Sequence, residues 1–93
     1  MKINEEMKIN RDYVLREVAG ESMLIPTGTA ALSVNGMITL NPTASCIWKQ
    51  LAAGEGEEEI LATLMQEFQV GEKEARKDLE EILEMMREKG MVE

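Results

Sequence analysis

Asn35-Gly36-Met37-Ile38-Thr39-Leu40-Asn41-Pro42-Thr43-Ala44-Ser45-Cys46-Ile47-Trp48 passes from a turn through a strand into a helix. Asn-Gly is a strong short-range turn signal, because both residue types accept a left-handed backbone. Met37 to Leu40 follows as a strand, whose alternation puts Ile38 and Leu40 on one face and Met37 and Thr39 on the other. Asn41 is a favoured N-cap, and Pro42 at the first helical position has no N–H to leave unsatisfied. Ala44, Ile47, Trp48, Leu51 and Ala52 then recur at i, i+3, i+4, i+7 and i+8, so this helix lays one apolar face on a core until Gly54 stops it.

Toward the N-terminus, Tyr13 to Val18 is rich in β-branched and aromatic residues and reads as a strand. Ala19-Gly20-Glu21 makes a turn, and Ser22 to Pro26 pairs back as a second strand. Ala30 to Val34 reads either as a loop or as a continuing strand. Toward the C-terminus, a second helix is predicted from Glu57 to about Gln69, with Ile60, Leu61, Leu64, Met65 and Phe68 on one face. Three glutamates in its first turn complement the helix dipole. A third helix, about Glu72 to Lys89, carries Ala75, Leu79, Ile82, Leu83 and Met86 along one stripe and ends at Gly90. The order is βββααα, an α+β arrangement. Three short strands cannot close on themselves, so the sheet keeps an edge unless something covers it.

The chain has 93 residues, enough for one core. Residues 1–11 are expected to be a flexible tail and 12–93 a single domain. Hydrophobic residues make up 44% and charged residues 30%, as in ordinary soluble globular proteins. Aromatics are few and methionines number eight, which suits either gap filling in a core or an adaptable contact surface. The single Cys46 allows no internal disulfide, and no apolar run is long enough for a signal h-region or a membrane span. A cytoplasmic protein is expected.

The net charge of -8 is unevenly placed: residues 1–54 hold five acidic and five basic side chains, residues 55–93 thirteen acidic and five basic. A phosphate backbone would be repelled by that half, so nucleic acid is an unsuitable partner. With no histidine and one cysteine, neither a zinc site nor a Cys-His or Ser-His-Asp constellation can be assembled. Glu57-Glu58-Glu59 and Glu80-Glu81 read as solvated helix faces, not as acid–base pairs. Gly54-Glu55-Gly56 lacks the Lys-Ser/Thr ending of a phosphate loop. Lys73, Arg76 and Lys77 are offset by neighbouring acids and read as intrahelical partners. No catalytic residue, metal or cofactor is called for.

The run from Asn35 to Ala44 with Ile47, Trp48 and Leu51 resembles the signature of the PqqD family, roughly N-G-x-I-x-L-N-x-T-A-x-x-I-W-x-x-L. Val18-Ala19-Gly20-Glu21 with Leu24-Ile25-Pro26 resembles the family's first hairpin. Glu58-Glu59-Ile60 with Leu64 resembles its second helix, Ala75 with Asp78 to Leu83 its third, and Gly90-Met91-Val92 its ending. The resemblance covers nearly all of the chain from about residue 12. Gly56 stands where Ser or Thr often caps the second helix, and Pro42 replaces a common Glu; both departures touch helix starts only.

The resemblance implies a winged helix-turn-helix-like fold of three antiparallel strands followed by three helices, known as the RiPP recognition element. It also implies a function: binding the leader region of a ribosomally synthesised precursor peptide and presenting it to a modifying enzyme, often a radical SAM maturase, in PQQ or other natural product biosynthesis. An edge strand suits that role, since an extended peptide can satisfy its unpaired backbone groups while apolar pockets select side chains. The expected groove lies between Met37, Ile38, Thr39 and Leu40 on the third strand and Leu79, Ile82, Leu83 and Met86 on the third helix. Two other classes compete: a winged-helix DNA-binding regulator, which would need a basic helix face, and a homodimerisation module whose edge strand pairs with its own copy.

Overall fold

A computed structural model, which describes residues 8–28, 30–33 and 36–92, turns from strand to helix at Asn41–Pro42 as that junction predicts. Strands β1 (Tyr13–Val18) and β2 (Glu21–Pro26) come first, then a single helical turn, α1 (Ala30–Ser33), and strand β3 (Ile38–Leu40). Helices α2 (Pro42–Ala52), α3 (Glu57–Phe68) and α4 (Glu72–Glu88) complete the order. The strands form one antiparallel sheet in the order β1-β2-β3.

Val18 pairs with Glu21, so Ala19 and Gly20 alone make the hairpin loop. Both have positive φ, 54° and 82°, the hand that matches the twist of the flanking strands. Tyr13, Leu15, Leu24, Ile38 and Leu40 share the helix-facing side by register, and Leu24 is fully enclosed. Ala44, Ile47, Trp48 and Leu51 of α2, Ile60, Leu61 and Leu64 of α3, and Ala75, Leu79, Leu83 and Met86 of α4 close the core from the other side.

Each long helix starts as its sequence allows. The Asn41 side chain accepts the Ala44 N–H at 2.8 Å, so the predicted cap is in place. Gly56 has no side chain to cap α3, and Glu59 instead reaches back to accept the Gly56 N–H at 3.2 Å. Ser45, the buried polar residue of α2, donates its hydroxyl to Ser22 Oγ at 3.0 Å and so ties α2 to β2.

The structure differs from expectation in the connection after β2 and at the N-terminus. Residues 30–33 form neither loop nor strand but a helical turn, in which the Ala31 N–H faces the carbonyls of Thr27 and Gly28. Consecutive alanines have the highest helix propensity, and a short connection gives them no strand partner. Val34 and Asn35 lie outside the described residues, so the Asn35-Gly36 turn is seen only at Gly36, whose φ is +80°. With α1 inserted between β2 and β3, winged helix-turn-helix is only a loose description of a three-strand, three-helix fold.

The second correction concerns the tail. Residues 1–7 lie outside the described residues, but Ile9 and Asn10 belong to the domain. Ile9 is buried and forms an antiparallel bridge with Val92; the Asn10 N–H donates to Met91 O at 2.8 Å and its Nδ2 to Gly90 O at 3.0 Å. Ile9 joins Met91 and Val92 in the buried core, while Asn10 satisfies the Gly90 and Met91 carbonyls just beyond α4. Among the described residues no helix is long and apolar enough to cross a membrane.

Candidate functional site

Strand β3 occupies one edge of the sheet, paired with β2 through Ser22↔Leu40, Met23↔Thr39 and Leu24↔Ile38. An edge strand directs alternate N–H and C=O groups away from its partner. Its side chains differ in accessibility. Met37, just before the strand, is 58% exposed, Thr39 is exposed, Ile38 is half-buried against the core, and Leu40 is enclosed. The strand begins at Ile38 and not at Met37, so its edge offers three residues instead of four.

On α4, Leu79, Leu83 and Met86 lie fully inside the core, whereas Ile82 is half-buried. The eight residues expected to line a groove therefore divide in two. Met37, Ile38, Thr39 and Ile82 are accessible; Leu40, Leu79, Leu83 and Met86 fill the space between sheet and helices and hold β3 and α4 in position. At about 100° per residue, Asp78, Ile82 and Met85 share one flank of α4, on the opposite side of its core stripe from Arg76. Arg76 binds α3, with Nη1 2.8 Å from Glu57 Oε2, so the flank carrying Ile82 and Met85 is the one turned away from α3. Met85 was not picked out from the sequence. Its signal is its position three residues beyond Ile82, beside the apolar stripe.

The basic residues near the start of α4 behave partly as expected. Arg76 pairs with Glu72 within its helix at 3.1 Å, but it also crosses to Glu57 and, at 3.7 Å, to Glu58 on α3. Among the described residues no group of three or more His, Cys, Asp or Glu side chains is placed to hold a metal ion.

A family model described as coenzyme PQQ synthesis protein D (PqqD) matches residues 13–92. The chain belongs to the PqqD family. Two solved structures share the fold of this PqqD-family chain. One is TbiB1 in complex with the TbiA(beta) leader peptide, 26% identical, with a TM-score of 0.77 over 92% of this chain and 94% of that one. The other is a lasso peptide synthetase B1 complexed with the leader peptide, 19% identical, with a TM-score of 0.77 over 95% and 98% of the two chains. No curated protein sequence matches the PqqD-family chain.

Proposed function

We propose that the chain is a non-catalytic adaptor that binds the leader of a ribosomally made precursor peptide and presents it to a modifying enzyme of the radical SAM or another peptide-modifying type. The observation that carries this reading is the position of β3. It is an edge strand with Met37 and Thr39 exposed and Ile38 half-buried, in a fold whose relative TbiB1 was solved with a leader peptide. The leader adds as a fourth strand along β3, with apolar side chains resting on Ile38 and on the Ile82–Met85 flank of α4.

Magnitudes favour reversible binding. Two or three backbone hydrogen bonds at about 1 kcal/mol each and two buried side chains at about 2 kcal/mol each give a gross gain on the order of 7 kcal/mol. Ordering the peptide offsets part of that gain, so the complex is of moderate affinity and releases the peptide on demand.

Titration of the folded protein with the leader encoded beside its gene tests the proposal. Saturable binding with protection of the β3 amides from hydrogen exchange is expected, and absence of saturable binding would remove the reading. The DNA-binding alternative finds no support: thirteen acidic against five basic side chains in residues 55–93 leave no basic helix face.

A further inference from the structure

At the hairpin end of the sheet, on its helix-facing side, a cavity of about 450 Å³ opens between the Ala19-Gly20 turn, α2 and the end of α3. That volume falls in the range of small-ligand sites, roughly 300 to 1,000 Å³. Ser45, Cys46 and Lys49 line it from α2, and Thr63, Glu67 and Phe68 from α3. Its charge is one-sided. Lys49 Nζ lies 2.6 Å from Glu17 Oε1 and is paired there, whereas Glu67 has no ion-pair partner among the described residues. The last turn of α3 also carries no basic residue, so the negative end of its dipole adds to the Glu67 carboxylate. Beside them Phe68 is 36% exposed.

A carboxylate, a helix C-terminus and a partly exposed aromatic ring together fit a cation on an apolar stem, which lays its methylenes on the ring and its charge on the acid. Leu40 supplies the link to β3, since it ends that strand and also lines the cavity. An extended residue spans about 3.3 to 3.6 Å, so a chain leaving the β3 edge at Leu40 comes to the cavity mouth within a few residues. We propose that this cavity holds a lysine or arginine side chain of the leader peptide, from the stretch just beyond the residues paired with β3; the inference rests on the peptide-binding reading above.

Two experiments on the full chain separate the inference from that reading. In the first, N-acetyl-arginine methylamide and N-acetyl-lysine methylamide are titrated against ¹⁵N-labelled protein, with N-acetyl-norleucine methylamide as the uncharged control. The cationic probes should give saturable shifts at the Cys46, Thr63 and Phe68 amides, and Glu67→Gln should weaken that binding about three- to fivefold. Equal shifts from norleucine, no shifts at all, or an unchanged response in E67Q would overturn the proposal. In the second, the leader encoded beside the gene is titrated with its Lys and Arg residues replaced one at a time by norleucine. One replacement should weaken wild-type binding and have no further effect in E67Q. A leader that binds but is indifferent to every replacement sinks the cavity assignment and leaves the strand-addition reading intact. A leader that does not bind, while the arginine probe does, overturns the assignment of the cavity to the leader and that reading with it.

Discussion

Arg76 on α4 and Glu57 on α3 meet at 2.8 Å, joining the second turn of α4 to the first residue of α3, and the same guanidinium reaches Glu72 with its other nitrogen. The planar fork serves the two carboxylates from two separate nitrogens in a fixed geometry, which the single nitrogen of a lysine does not reproduce. Arg76→Lys and Arg76→Ala should both lower the melting temperature by circular dichroism. The loss should be larger in dilute buffer than in half-molar salt, because Glu58 and Glu72 are open to solvent and their pull on Arg76 is screened by ions. Equal melting of wild type and both variants in dilute buffer would show the link to be idle.

Met37 and Leu83 were both expected to face a peptide, and the structure separates them. Met37 is 58% exposed, so Met37→Asp should leave stability within about 0.5 kcal/mol of wild type while weakening leader binding roughly tenfold, about 1.4 kcal/mol. Leu83 is 1% exposed, so Leu83→Glu buries a carboxylate and should cost at least about 3 kcal/mol in a denaturant titration. If L83E folds normally and loses only peptide binding, the core assignment of Leu83 is wrong.

Ala19 holds a left-handed backbone in the hairpin loop, with φ of 54°. A residue with a Cβ is strained there, and Asn tolerates that region better than Ala. Ala19→Asn should stabilise the fold by about 0.5 to 1 kcal/mol, read as a higher urea midpoint at unchanged slope. Conversely, Asn41→Ala removes the acceptor of the Ala44 N–H and should cost about 1 kcal/mol.

The Cys46 thiol is pushed above its usual range, first by burial and then by the Glu67 carboxylate, with Lys49 acting in the opposite direction. The folded protein therefore keeps this proton at a pH where the unfolded chain has lost it. Its contribution to stability is complete below the ordinary thiol range and disappears as pH rises through the raised value. Stability measured from neutral pH upward should fall in the alkaline range, and Cys46→Ala should flatten that part of the curve. A C46A profile parallel to wild type would mean that another group carries the slope.

The stretch from Ile38 to Trp48 was legible because it carries local reasons for its conformation: an N-cap, a proline at the first helical position, an apolar face at helical spacing. Helix bounds followed from the glycines at 54 and 90 for the same reason. The single turn at Ala30–Ser33 was not legible, since four residues are too few to show a period. Ile9 was hidden too: it sits in a polar segment, and its partner Val92 is at the other end of the chain. On α4, periodicity named the face that packs on the core but did not separate its centre from its flank. Leu79, Leu83 and Met86 at the centre are enclosed, Ile82 and Met85 at the flank are half-open, and only the placement of α3 by Arg76 shows which flank is turned away. The cavity beside Phe68 brings together residues from the hairpin, α2 and α3, and no run of sequence contains that meeting.

The bridge between Ile9 and Val92 brings the entry and exit of the folded unit side by side. A module with adjoining ends can be spliced into a surface loop of another enzyme, or tethered at either end, without stretching its host. Because the two ends adjoin, β3 lies at nearly the same distance from a tether fixed at either one.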